Sequence, residues 1–251
     1  MRNFTDAYSK IAEETFGECI LLILRDLPPD WNFPAAYITK CSRSSPSFTQ
    51  CILDNIEKIR PYLAKGIPEM SVPPMEPLVI PKAQIRNTVF EDIELTNGTT
   101  FQVHNLNVTS KFDTIAADIS LERIAIKAKY HINEHILVLQ LRGNGSFQAV
   151  VNNLKVHAVY DLVPYQRKGK QYIEPKRHKS ILTYQVSDVH FDNLFPERSE
   201  LTVSTNKIIN ENIDTIMEEF KPGFDETALT IFQILLGRIL RRFSVDDLLS
   251  E

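Results

Sequence analysis

The chain has 251 residues, enough for one large domain or two small ones. Its 43% apolar and 24% charged residues describe an ordinary globular protein, and a net charge of -4 lacks the basic field that a phosphate backbone requires, which argues against nucleic acid as a partner. With only 8 glycines there is little material for a glycine-rich phosphate loop, and no apolar run approaches the roughly 20 residues that cross a bilayer.

At the start of the chain, CILLIL at 19–24 is the one candidate for a leader core. It is short for the roughly 7 to 15 residues expected, and Glu13, Glu14 and Glu18 stand where positive charge belongs. A degraded or misassigned leader and an amphipathic helix are both consistent with it. Cys41 and Cys51 follow, ten apart in CSRSSPSFTQC, and spacing alone leaves a bridge and two reduced thiols equally open. Cys19 has no partner by that pairing. Sequons at Asn97, Asn107 and Asn144 fit an exported glycoprotein.

After Cys51, the spacing of Ile52, Ile56, Ile59 and Leu63 predicts a short amphipathic helix with an end or kink at Pro61. PYLAKGIPEMSVPPMEPLVIP, residues 61–81, carries six prolines in an apolar run. Each removes a backbone donor, so neither a regular helix nor a central strand is expected there. Ile67, Met70, Val72, Met75, Leu78 and Ile80 remain free to bury their side chains, and the segment is read as a lid closing one end of an apolar interior.

Residues 84 to about 190 read as strands. Ile124, Ile126, Ala128, Tyr130 and Ile132 alternate with Lys127, Lys129 and His131, the pattern of an antiparallel sheet with one covered face. Turns are expected at Asn133-Glu134, at Gly143-Asn144-Gly145, and at Gly169 within the basic run RKGKQYIEPKRHK. That run reads as a solvated hairpin, with attraction to anionic lipid as the rival reading. Phe101 and Val103 fall on one parity and Leu106 and Val108 on the other, which predicts a bulge and a strongly curved sheet. The period then changes to helical. Ile209, Ile213, Met217, Phe220 and Phe224 form one stripe, continued by Ile231, Leu235 and Ile239 beyond an expected kink at Pro222-Gly223. A second stripe of Leu229, Phe232, Leu236, Leu240 and Phe243 widens the apolar arc. A helix so apolar needs enclosure on several sides, and the curved sheet is the element able to enclose it.

Little suggests catalysis. HINEH at 131–135 matches an inverted zinc-protease pattern, but that chemistry needs a helix and the flanks alternate at period two. The two histidines are expected to be exposed. Nucleophile elbows and phosphate loops are absent from the sequence. No enzyme activity, cofactor or metal is expected.

The residues resemble the insect takeout and juvenile hormone-binding protein family. The resemblance is carried by the C-x9-C pair at 41–51, RPYLAKGIPEMSVPPMEPLVIP at 60–81, FDNLFP at 191–196 and NKIINENI at 206–213. It covers about residues 35–250 and is closer to the takeout branch, since no cysteine follows Cys51. It implies one domain over 35–251 with residues 1–34 set apart. It further implies an α+β fold of the tubular lipid-binding kind, a curved antiparallel sheet around a long C-terminal helix with an elongated apolar tunnel. A Cys41–Cys51 disulfide, export, and carriage of a small lipophilic ligand by a monomer are implied as well, with links to circadian, feeding or chemosensory physiology. Candidate ligand contacts are Ile213, Met217, Phe220 and Phe232, with Tyr130 offering one polar contact. A membrane-interacting lipid-transfer module, and a secreted signalling protein with transient membrane or receptor contact, are the alternatives.

Overall fold

The structure is a computed structural model that describes residues 37–136, 139–196 and 198–251, and for residues 136 and 139 the backbone alone. The expectations for CILLIL, Cys19 and residues 1–34 lie outside the described residues. The elements are β1 (Cys41–Ser42), α1 (Phe48–Leu63), β2 (Leu78–Ile85), β3 (Thr88–Thr96), β4 (Gln102–Val108), β5 (Thr114–Ile136), β6 (Leu139–Arg167), β7 (Lys170–Phe191), α2 (Ser199–Glu211), α3 (Ile213–Arg242), α4 (Val245–Leu248) and β8 (Leu249–Ser250). Five strands run in the antiparallel order β2-β3-β5-β6-β7. β4 lies beside β3, pairing with Ile115–Ser120 of β5 while β3 takes Ala125–Ile132.

The three long strands of 23, 29 and 22 residues far exceed the usual five or six. Bulges let such ribbons curl. The register slips between Val103 and Asn105, where the alternation changes parity, and again between Glu91 and Glu94. β6 and β7 slip at three more places. Asp92, Asn153 and Asp188 sit at these irregularities with φ of 49°, 53° and 53°, a left-handed conformation that short polar side chains tolerate best. The β6–β7 hairpin turns at Lys168-Gly169, both at positive φ, as a two-residue turn requires.

Two expected turns are strand instead. β6 runs straight through Gly143-Asn144-Gly145. Glycine is needed there for closeness, because a Cβ at 143 would meet the Asn193 carbonyl oxygen at 2.6 Å and one at 145 the Asp192 carbonyl oxygen at 2.5 Å. β5 likewise continues past Asn133-Glu134 to Ile136. His131 and His135 are exposed, but Glu134 is buried, accepting a 2.6 Å hydrogen bond from the Asn87 backbone and facing Arg86 Nε at 3.7 Å.

The proline-rich segment departs from expectation at both ends. α1 starts at Phe48 and passes through Pro61 to Leu63, while Leu78–Pro81 opens β2. That strand is at the sheet edge, and Pro81 falls between the pairs Ile80–Ile93 and Lys82–Glu91, where the Asp92 bulge leaves the ladder unpaired. Between them lie a 3-10 turn at Pro68–Met70 and an Ile67–Val72 bridge. The Glu76 carboxylate fixes the segment by accepting from the backbone N–H groups of Asn97 and Thr99 and from the Thr99 hydroxyl, at 2.7 to 2.9 Å. Burial raises its pKa, yet those bonds outweigh burial and hold it below the usual carboxylate value.

At the C-terminal end the helical stripe is divided at Asn212, and α3 runs through Pro222. The expected break site has another use: a Cβ on Gly223 would lie 2.8 Å from Ile85 Cγ2, so glycine lets β2 approach the helix. At the opposite edge α2 caps β7. Asn206 accepts from the Phe191 N–H and donates to its carbonyl, and Asn210 does the same for Val189. The two side-chain amides, one helical turn apart, stand in for a neighbouring strand on alternate residues of an edge.

The interior has a solid end and a hollow one. Cys41, Phe48, Val108, Phe112, Leu162 and Leu240 pack together where α1, β4, α4 and the parallel β1–β8 pair meet. The Cys41–Cys51 disulfide is formed there. A second cluster of Leu121, Leu154, Val156, Leu182 and Leu229 fills the middle. Beyond it the packing opens.

Candidate ligand-binding site

The opening is a cavity of about 210 Å³, walled by β2, β3, β5, β6 and β7 and floored by α2 and α3. Alternation builds it. Ile124, Ile126, Ala128 and Ile132 of β5 face in at every second position apart from Tyr130, and Phe147, Ala149 and Val151 repeat the pattern on β6. The helices contribute Ile209, Ile213, Ile216, Met217, Phe220, Phe224 and Ile231, whose spacing of three, four and seven keeps them on one stripe.

Polar atoms are few. Thr88, Tyr184 and Thr227 are the hydroxyl-bearing residues in the lining, and Thr227 Oγ1 donates to the Gly223 carbonyl at 2.8 Å. The Thr88 and Tyr184 hydroxyl oxygens are buried without a hydrogen-bond partner among the described residues. Burial, and then the neighbouring Asp225 carboxylate, hold the Tyr184 phenol well above its usual range, so it stays neutral. Among the described residues, the walls therefore carry no charge.

Charged contacts close the seams instead. On the β7 side, Arg177 Nη2 pairs with both Glu226 oxygens at 2.8 Å. Lys221 Nζ bridges Asp225 Oδ2 at 2.5 Å and the Leu182 carbonyl at 3.1 Å, above the Tyr184 ring. On the β2–β3 side, Arg86 lies 5.0 Å over the Phe220 ring and its Nη1 donates to Glu219 Oε2 at 2.9 Å. Both sheet edges are thus fastened to α3, and apolar side chains fill the space between.

Of the five expected ligand contacts, Ile213, Met217 and Phe220 line the cavity and Tyr130 and Phe232 do not. Phe232 packs against the middle cluster. Tyr130 is 3% exposed, stacks edge-on with Phe191, and donates its hydroxyl to the Asp192 carbonyl at 2.5 Å. Burial, with Asp192 adding to it, pushes that phenol up to about 12. Its polar group is spent on tethering FDNLFP. The lid reading also needs correction: of its six apolar residues only Ile80 lines the cavity. Ile67, Met70 and Val72 are buried elsewhere, and Arg242 Nε reaches the Glu69 carbonyl at 3.0 Å, which ties this segment to the far end of α3.

The sequence profile of the haemolymph juvenile hormone binding protein family matches residues 19–250. The chain belongs to that family. Members are carriers that bind hydrophobic ligands. Among its JHBP-family relatives are two Drosophila proteins named circadian clock-controlled protein daywake. The D. yakuba protein is 23% identical over 215 residues, 78% of this chain and 82% of that protein. The D. melanogaster protein is 22% identical over 219 residues, 80% and 84% respectively. The crystal structure of Epiphyas postvittana Takeout 1 superposes with a TM-score of 0.67 at 19% identity, covering 85% of this chain and all of that one. The α+β fold, a curled antiparallel sheet against C-terminal helices, is thus the takeout fold.

Proposed function

We propose that this JHBP-family chain carries a small hydrophobic molecule reversibly in the cavity, outside the cell, as a monomer and without covalent chemistry. The observation that supports this most directly is the hollow itself, about 210 Å³ walled by uncharged and mostly apolar side chains. For comparison, an apolar cavity of about 150 Å³ stays dry and takes up benzene. Burying about fifteen ligand carbons at about 0.8 kcal/mol each yields roughly 12 kcal/mol gross. Association costs of at least roughly 4 kcal/mol leave no more than about 8 kcal/mol net, so a dissociation constant of about micromolar at the tightest is expected. Terpenoid, fatty-acid-like and other lipids fit this description. Export is supported by the disulfide and by the exposed Asn97, Asn107 and Asn144 sequons. The names of the daywake relatives motivate a role in rhythmic physiology, checked by following the protein's abundance through a day.

Two measurements test the carrier reading. Native mass spectrometry of protein purified from its own source, followed by solvent extraction, should reveal a bound apolar molecule. Ala149→Phe, which fills the cavity from β6, should weaken binding of a neutral fluorescent hydrophobic probe at least tenfold while circular dichroism stays unchanged. Equal probe binding by the two proteins would refute the cavity as the site. Exposed Lys168, Lys176 and Lys179 support a membrane encounter as a second reading. In that case lipid delivery to anionic vesicles should slow as salt rises.

A further inference from the structure

Two hydroxyl groups of the cavity lining want a partner. Thr88 Oγ1 and Tyr184 Oη are buried and unbonded among the described residues, and Thr88 as a whole is only 2% exposed. A buried hydroxyl left unpaired costs free energy, so each orphan calls for a reason. The two approach α3 from opposite edges of the sheet. Thr88 pairs in register with Ile85, which packs against Gly223, and the Tyr184 ring lies beneath Lys221. Both edges thus meet the helix within a single turn, and the hollow they share is open to a partner for either hydroxyl.

The surroundings of Tyr184 say which partner fits. Beside the phenol, and outside the cavity lining, is Asp225. Its Oδ2 accepts from Lys221 Nζ at 2.5 Å, while its Oδ1 is buried and unpaired. Burial, and then that carboxylate, keep the phenol protonated, and the carboxylate draws the phenol hydrogen to its own side. What remains for the hollow is the lone-pair side of the oxygen, which accepts. A ligand oxygen that only accepts, as in an ether or ester, has to compete with Asp225 for the phenol hydrogen. A carboxylate fares worse, because it meets a second carboxylate with no cation on the described walls to offset its burial. A hydroxyl donates to the phenol oxygen and leaves that arrangement intact.

We propose that the cargo is an aliphatic alcohol whose hydroxyl donates to Tyr184 Oη while its hydrocarbon body fills the cavity. This rests on the carrier reading. Tyr184 then sets which kind of oxygen the hollow accepts. Thr88 Oγ1 can rotate either to donate or to accept, so it does not distinguish an alcohol from an ether.

The test compares 1-dodecanol with the methyl ether of 1-undecanol, matched in non-hydrogen atoms, as competitors of the hydrocarbon probe diphenylhexatriene. The wild-type chain should bind the alcohol about fivefold more tightly than the ether, or better, although the ether is the more hydrophobic of the two. Tyr184→Phe should abolish that preference and leave the ether and the probe unchanged, while Thr88→Val should retain it. Equal or tighter binding of the ether by the wild type overturns the proposal. So does a preference that survives Tyr184→Phe, or one that disappears in Thr88→Val. Were the phenylalanine variant to misfold, the wild-type comparison and Thr88→Val decide. Absence of probe binding to the wild type would overturn the carrier reading itself, a distinct result.

Discussion

Tyr130 shows how one hydroxyl changes meaning once its partner is known. On the sequence it is a polar group on an apolar face, a natural handle for a ligand. In the fold that hydroxyl is hydrogen-bonded to the Asp192 carbonyl across 62 residues of chain. Tyr130→Phe should therefore cost about 1 kcal/mol in urea denaturation, the net worth of one hydrogen bond, while probe affinity stays constant. A fall in affinity without loss of stability would reverse the assignment. The stripe of Ile213, Met217 and Phe220 was legible because helical periodicity alone orients it. Phe232 was misplaced because two stripes share α3, and only the position of the sheet decides which one faces the hollow. Ile124, Ile126, Ala128 and Ile132 carried a usable signal in their alternation. Thr88, Tyr184 and Ile85 had none, since their place in the lining depends on which strands become neighbours.

Among elements, local patterns predicted local structure and failed where distant chain intervenes. The parity change at Val103 and the glycine at the β6–β7 turn are local, and both are where the residues indicate. Gly143-Asn144-Gly145 has the composition of a hairpin turn, but its glycines serve the backbone of Asp192–Leu194, some fifty residues on. Pro222-Gly223 likewise suggests a helix break, yet the glycine makes room for Ile85 and the helix divides at Asn212 instead. NKIINENI is recognisable as a motif without its reason being legible. The reason is the pair of asparagine amides sealing the edge of β7. Asn206→Ala removes two of these bonds from a buried position and should destabilise the fold by about 2 to 3 kcal/mol, read as a lower urea midpoint. It should also speed amide exchange at Phe191, and unchanged exchange there would show that α2 does not protect the edge.

For the domain as a whole, the important division is between the packed end, which holds the disulfide, and the end that encloses the cavity. None of the residues in the packed cluster lines the hollow. Replacing both Cys41 and Cys51 by serine releases a short loop and should lower stability by about 3 kcal/mol. At a temperature where the variant is still folded, it should bind the neutral probe as the wild type does. Weakened binding there would mean that the two ends communicate. The same division has a mechanical consequence. Hydrostatic pressure favours whichever state occupies less volume, and unfolding gains by eliminating internal voids. Squeezed in a high-pressure cell, the domain should yield first around β2, β3 and the N-terminal half of α3, while the disulfide end holds. A molecule occupying the hollow removes that weakness, so loaded protein should withstand pressures at which the empty form gives way.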